Sequence, residues 1–208
     1  MRRNAIVSVV VVIVLLALGS QLAVPAYVSS QVEDRLTANG GSAHVEVHAF
    51  PAVRLIRGGG DSIDIRGQNL RFDFPAKDPD VFDRLDRFGD VDARLTGVTT
   101  GPFRIDSFTL RRADGEGTYH MVVRAHSTTS QIGQYAAGQI GGPLGGFLDR
   151  FAGSDVVPFG DDPIPVSIDA RVRSDGGRPH SVAASGDVAG LPAGPLAERL
   201  ANAVAGRL

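Results

Sequence analysis

The sequence predicts an α+β domain built on a long antiparallel sheet, with an apolar segment ahead of it. Three observations support this prediction: a charged start followed by an apolar run, repeated alternation of apolar and polar residues, and helical apolar stripes between the alternating segments. Alternation with a period of two is typical of strands that bury one face, and groups of such strands separated by helices are typical of α+β domains. About 180 of the 208 residues follow the apolar segment, which is enough for one domain with a core.

The first residues of the chain form an export signal. Two arginines follow Met1, the run 5–18 is apolar apart from one serine, and no other charged residue comes before Glu33. A charged start followed by an apolar run directs a chain into the membrane and leaves its N-terminus in the cytoplasm. Residues 1–26 are therefore a signal peptide or a membrane anchor. The apolar stretch only just reaches the roughly 20 residues that span a bilayer, and its last small residues fit a cleavage site. Residues 27–208 are expected outside the cytoplasm.

Period-two alternation continues along most of the exported part. The segments that show it, and that are predicted as strands, are 43–49, 63–66, 70–74, 91–98, 103–110, 118–126, 164–172 and 180–189. Stripes at helical spacing predict helices over 27–38, 78–88, 128–152 and 195–208. The stripe of the second helix is Phe82, Leu85 and Phe88, and Gly89 is expected to end it. The alternation of apolar and polar positions shifts by one residue at Asp106-Ser107, which predicts a β-bulge.

Residue types needed for catalysis or metal binding do not come together in this sequence. There is no cysteine, and His44 and His48 would lie roughly 13 Å apart on a strand. No serine stands in a nucleophile elbow, and the glycines at 58–60 lead into a strand instead of the helix N-terminus that a phosphate loop requires. The net charge of −2 argues against a nucleic-acid partner. These patterns favour a protein that is not an enzyme and has no cofactor or metal.

The apolar residues have an unusual composition. The chain has no tryptophan but ten phenylalanines, and several of these lie on strand faces that are expected to point inward. A sheet wrapped around helices can fill its interior with such rings, or it can leave a groove for an acyl chain. Periodicity does not separate a packed core from a groove, so both interpretations stay open.

One stretch resembles the opening signature of the LmeA-like family, also known as the DUF2993 domain. In that family a strand ends in Phe-Pro, a short helix closes on a glycine, and an aspartate leads a second alternating strand. The residues that carry the resemblance are Val45-Glu-Val47-His-Ala-Phe50-Pro51, Leu55-Ile56-Arg-Gly58 and Asp61-Ser-Ile63-Asp-Ile65. The rest of the chain is similar in the order of its elements.

The resemblance implies a fold and a function. Members of the family are actinobacterial cell-envelope proteins, and their fold is similar to that of tubular lipid-binding (TULIP-like) proteins, in which a long curved sheet wraps around helices. It therefore implies a phospholipid-binding protein, membrane-associated and outside the cytoplasm, with a role in maintaining envelope lipids or lipoglycans. Its partners would be a phospholipid or other acyl lipid and the cytoplasmic membrane. The alternative is a non-enzymatic scaffolding protein of the envelope with a packed core.

Candidate lipid-binding residues follow from the strand faces and the Phe-Pro turn. The apolar lining is expected to comprise Val45, Val47, Phe50, Leu55, Ile63, Ile65, Leu70, Phe72, Phe74, Phe103, Ile105 and Phe108. Arg54 and Arg57 flank the turn and are the candidate contacts to a lipid headgroup. Phe50 is expected where the sheet meets the short helix, either as a plug in the core or at the mouth of the lipid site.

Overall fold

The computed structural model describes residues 21, 23–72, 81–101, 103–112, 117–128, 130–131 and 162–192. The elements in these ranges are α1 (residues 23–37), β1 (Ser42–His48), α2 (Val53–Ile56), β2 (Gly60–Gln68), β3 (Arg71–Phe72), α3 (Val81–Leu85), β4 (Phe88–Thr100), β5 (Phe103–Arg112), β6 (Thr118–Ser127), β7 (Ile164–Asp175), β8 (Arg178–Val188) and β9 (Leu191–Pro192). Residues 1–20 of the predicted signal or anchor, most of the predicted helix 128–152 and all of the predicted helix 195–208 lie outside the described residues. Within the described ranges, no helix has the length and apolar character needed to cross a bilayer.

The strands form one long open sheet, so the fold is α+β as predicted. Its order is β1-β2-β4-β5-β6-β7-β8-β9, and β3 pairs with β4 beyond the end of β2. The prediction of an antiparallel sheet is wrong at one place, because β2 and β3 run parallel to β4. Parallel neighbours need a crossover connection, and here the chain passes through α3 between β3 and β4. The sheet is therefore mixed, with antiparallel pairing everywhere else in the described ranges.

The second predicted helix is shorter than its apolar stripe. α3 ends at Leu85, whereas Phe88 and Gly89 belong to β4, so the prediction that they finish the helix is wrong. Phe88 pairs with Gly60 of β2, and a Cβ on Gly60 would lie 2.8 Å from the Phe88 ring. The ring is buried as the stripe suggested. The apolar spacing Phe82–Leu85–Phe88 does not show where the helix ends. The pairing of Phe88 with Gly60 sets the strand conformation of the backbone at Phe88.

One face of the sheet, called the inner face here, carries the core. A row of directly paired residues crosses seven strands on this face: Val45, Ile65, Ala93, Leu110, Met121, Ala170 and Ala184. The apolar stripe of α1, from Val24 through Val28 and Val32 to Leu36, packs against the same cluster. The alternation and the helical stripe read from the sequence are both confirmed by this packing. The outer face is polar and carries ion pairs such as Arg94–Asp92.

Helix α1 also covers the edge of the sheet. The Val45 amide of edge strand β1 donates to Glu33 Oε1 of α1 at 2.7 Å. An unpaired edge strand is a site for unwanted strand addition, and a covering helix prevents it.

Two irregularities shape the strands. The predicted bulge is confirmed, because the β5–β6 register shifts between Ile105 and Ser107. Between β2 and β3, Asn69 has φ 53°, and Gly97 of β4 has φ 64° close to it. A Cβ on Gly97 would lie 2.7 Å from Asn69 Oδ1, so this contact requires glycine.

A buried polar cluster fixes α3 to the sheet. Arg112 lies on the inner face with a side chain only 2% exposed, and its Nη1 donates to Asp86 Oδ1 at 3.0 Å and to Tyr119 Oη at 2.9 Å. Its Nη2 donates to the carbonyl groups of Leu85 and Phe88. The Tyr119 hydroxyl donates to Asp86 Oδ1 at 2.7 Å. Burial, followed by the hydrogen bond to Asp86, raises the pKa of Tyr119 above its ordinary range. Sequence patterns did not predict this cluster.

Candidate functional site

The inner face brings most of the predicted lining residues together. Val45 pairs with Ile65 and Val47 with Ile63 across β1 and β2, and all four belong to the core cluster or pack against it. Phe108 of β5 lies in the same cluster. These side chains form a continuous apolar surface because β1, β2, β4 and β5 are neighbours in register.

A second part of this surface lies at the far end of β4. Phe72 and Phe103 are both directly paired with Thr100, one on each side, so the two rings flank one threonine on the inner face. Both phenylalanines are partly exposed. Thr100 is buried, and its hydroxyl has no hydrogen-bond partner among the described residues. A buried hydroxyl without a partner is unusual, because most buried polar groups in proteins are hydrogen-bonded.

Ile105 and Leu70 link these two parts. Ile105 pairs with Val98, and its side chain packs partly exposed against the core cluster. Leu70 is fully buried and lies over Gly67, where a Cβ would come within 2.6 Å of Leu70 Cδ1. The last predicted lining residue on this path, Phe74, lies outside the described residues.

The short helix α2 has two apolar sides. Ala52 and Leu55 point into the protein, and Leu55 is 4% exposed within the core cluster. Phe50, Val53 and Ile56 point outward and are 79%, 56% and 72% exposed. Of the predicted lining residues at this turn, Leu55 is therefore buried, whereas the Phe50 side chain lies in water and does not plug the core. A helix of four residues can bury only one side, and Ala52 and Leu55 occupy it.

The two candidate headgroup arginines differ in their contacts. Arg54 forms an ion pair with Asp61 at the start of β2, and Asp61 Oδ2 also accepts the Phe50 amide at 2.6 Å. The Asp61 carboxylate therefore binds the turn at two places, the Phe50 amide and the Arg54 guanidinium. Arg57 is exposed, and no described carboxylate forms an ion pair with it.

The start of α1 lies against this turn. Gln21 Oε1 accepts the Ala52 amide at 3.1 Å, which joins the N-terminal end of α1 to that of α2. Tyr27, six residues further along the chain than Gln21, is 66% exposed. The outward residues Val53 and Tyr27 were not among the sequence-predicted site residues. The signal for Val53 was present, because 50–56 is apolar at every position apart from Arg54.

A depression of about 500 Å³ lies on the opposite, outer face. It is lined mainly by charged residues of β5, β6 and β7, including Arg111, His120, Arg171 and Arg173, with Val182 at its border. None of the predicted lining residues contributes to it. In the ranges that the structure describes, no three side chains of His, Asp or Glu gather as metal ligands.

Comparison of the chain with protein-family models, with curated proteins and with solved structures found no match. The resemblance to the LmeA-like family therefore stays a prediction, based on residues 45–65. The strand, short helix and second strand that its signature implies are all present, as β1, α2 and β2.

Proposed function

We propose that this chain is a membrane-associated, non-enzymatic lipid-binding protein on the outer side of the cytoplasmic membrane, with a role in maintaining envelope lipids or lipoglycans. The observation that carries the proposal is the apolar inner face, which crosses seven strands without a charged residue in its central row. Strands lie about 4.8 Å apart, so the row is roughly 29 Å long. An acyl chain spans half of a hydrocarbon core about 30 Å thick, so the inner face is long enough for one where its residues remain partly exposed.

The partly exposed residues on this face would contact the acyl chain. Ile65, Phe72, Phe103 and Ile105 retain accessible surface, and burying each CH₂ of a lipid against them would contribute about 0.8 kcal/mol. We extend the proposal to the architecture, a sheet wrapped around helices as in tubular lipid-binding proteins, because the stripe of α1 already packs on the inner face.

Contacts of the N-terminal residues favour an anchor that is retained over a signal that is removed. Val24 packs against the core cluster and Gln21 accepts the Ala52 amide, although both residues precede the predicted cleavage site. Removing residues 1–26 would take both contacts away. A retained segment would keep the inner face next to its source of lipid.

A scaffolding function is the second candidate, and one observation favours it. Val47, Ile63 and Phe108 are buried, so this part of the inner face already packs as an ordinary core. A scaffold would use the polar outer face, with its depression beside Arg171 and Arg173, to bind a partner.

Photo-crosslinking separates the two functions. The full chain is reconstituted with a phospholipid that carries a diazirine near the end of one acyl chain, irradiated, and digested for mass spectrometry. We expect labels on the inner face, at Phe103 or Ile105 of β5. Thr109, an outer-face residue of the same strand that is also partly exposed, is the matched control. Excess unlabelled phospholipid should remove the labels.

Labels at Thr109 as frequent as those at Ile105 would indicate nonspecific reaction and contradict lipid binding by the inner face. An inner face free of labels, with labels only near the N-terminal segment and α2, would favour the scaffold.

A further inference from the structure

The largest exposed apolar side chains in the described ranges concentrate on one turn. Of the five exposed large hydrophobic residues found there, Phe50, Val53 and Ile56 lie within seven positions of one another. We call these three residues the apolar tip. A compact group of exposed aliphatic and aromatic side chains marks a surface that contacts another molecule.

The turn that carries the apolar tip is held in place by the protein. Leu55 and Ala52 are buried beneath it, and the Asp61 carboxylate accepts the Phe50 amide and pairs with Arg54. The tip therefore keeps its apolar side chains in water at a defined position. A rigid turn loses little conformational entropy when it inserts into another phase.

Chain connectivity identifies the other phase as the lipid bilayer. The apolar run 5–18 precedes Gln21, and Gln21 is hydrogen-bonded to Ala52 at the base of the tip. Where a membrane segment ends, the chain lies at the bilayer interface, so the tip must lie close to the same interface. Tyr27 is exposed about 9 Å further along α1, counted from Gln21 at 1.5 Å per residue, and tyrosine is enriched at this depth.

The charge of the turn fits a membrane surface as well. Asp61 neutralises Arg54, and Arg57 remains exposed beside Ile56 as a positive charge without an ion pair among the described residues. Apolar side chains that point into the bilayer beside a basic residue at the headgroups are typical of interfacial membrane contacts.

We infer that the Phe-Pro turn and α2 form a membrane-insertion surface, in which Phe50, Val53 and Ile56 enter the outer leaflet and Arg57 contacts anionic headgroups. The inference rests on the membrane association proposed above, but it does not depend on lipid binding by the inner face. Together with the N-terminal segment, the tip gives the domain a second contact with the bilayer. Two contacts would fix the orientation of the sheet relative to the membrane, whereas a single tether would let it rotate.

Tryptophan fluorescence provides a direct test, because the chain contains no tryptophan. Ile56→Trp places the only indole on the apolar tip. Val182→Trp is the matched control, since Val182 is also an exposed aliphatic residue, at 52%, but lies on β8 beside the outer depression. Both full-length variants are reconstituted into vesicles of equal parts phosphatidylglycerol and phosphatidylcholine, with and without bromine on the acyl chains.

We expect brominated lipid to quench about half or more of the Ile56→Trp emission, since interfacial segments bury their apolar face about 5–10 Å into the headgroup and acyl boundary. Val182→Trp should keep its emission. Adding Arg57→Gln to Ile56→Trp should reduce quenching in the anionic vesicles and leave it unchanged in pure phosphatidylcholine. The membrane segment is the same in all variants, so the difference reports on the tip alone.

Equal quenching of Ile56→Trp and Val182→Trp would overturn the inference, as would an Ile56→Trp spectrum that stays typical of water. That second spectrum is the result expected if the tip binds a protein instead of lipid. Quenching at the tip without crosslinks on the inner face would support membrane insertion and reject lipid binding, so the two proposals can fail separately.

Discussion

Phe50 and Leu55 lie on opposite sides of one short turn, and replacing each by alanine separates stability from membrane contact. Leu55 is 4% exposed in the core cluster, whereas Phe50 is 79% exposed and is bound through its backbone, whose amide donates to Asp61 and whose carbonyl accepts from Arg54. Leu55→Ala should therefore remove core packing. Phe50→Ala should remove side-chain surface that the folded protein leaves in water.

The expected losses of unfolding free energy differ several-fold between the two variants. Leu→Ala in a core costs about 2–5 kcal/mol of unfolding free energy, because a cavity adds to the lost transfer free energy. A surface substitution that breaks no special contact changes it by about 0.5 kcal/mol or less. For a chain of this size 1 kcal/mol corresponds to roughly 2–4 °C in Tm, so Leu55→Ala should lower Tm by about 4–20 °C and Phe50→Ala by about 2 °C or less.

Thermal unfolding of the full chains, followed by far-ultraviolet circular dichroism in one detergent, measures both values. The membrane contact is measured on the same samples after reconstitution, with Ile56→Trp as the reporter. Phe50→Ala should reduce quenching of this reporter by brominated lipid although the protein still melts cooperatively. A Tm loss for Phe50→Ala as large as that for Leu55→Ala would show that the ring is a core plug and would refute the argument from exposure.

Two further predictions concern the buried polar cluster. Asp86→Ala should cost about 3–5 kcal/mol in a denaturant titration, because it leaves the buried guanidinium of Arg112 without its counter-charge. Asp83→Ala, which breaks an exposed ion pair with Arg87 four positions further along the chain, is the control and should cost about 1 kcal/mol or less. Tyr119→Phe should flatten the alkaline limb of the stability profile. The raised pKa of Tyr119 means that its contribution is complete below the unfolded value of about 10 and is lost as the pH rises above it.

Each of these outcomes has a clear opposite. If Asp86→Ala is as mild as Asp83→Ala, the cluster does not hold α3 on the sheet. If the parent and Tyr119→Phe lose stability with equal slopes above pH 10, the Tyr119 hydroxyl is not protected from ionisation by the fold.

Much of the fold followed from local patterns. The period-two alternation in 43–49 and 118–126 placed strands with the correct inner face, and the stripe of α1 identified the side that packs on it. The change of parity at Asp106-Ser107 located a bulge before any pairing was known. These features can be predicted from the sequence because each depends only on residues that are close together in the chain and on the period of one helix or strand.

Pairing between distant strands was decided only by the tertiary structure. The alternation in β2 and β4 is the same for parallel and antiparallel neighbours, so it did not reveal that they run in one direction. The sequence also did not reveal that Phe72 and Phe103 lie next to Thr100. They do so because β3 and β5 pair with β4 on its two sides in a register that places both opposite Thr100. The attachment of α3 by Arg112 joins residues 26 positions apart, and no local pattern marks a charged residue for burial.

The sequence by itself determined that this chain has an apolar run near its start, alternating strands and a Phe-Pro turn rich in apolar residues. Only the tertiary structure decided which of those residues point away from the core. Phe50, Leu55 and Ile56 are equally apolar in the sequence, but the short α2 has room for only Ala52 and Leu55 against the sheet. The space beneath the turn therefore leaves Phe50 and Ile56 in water, because a side chain is buried only where neighbouring elements supply a surface to cover it.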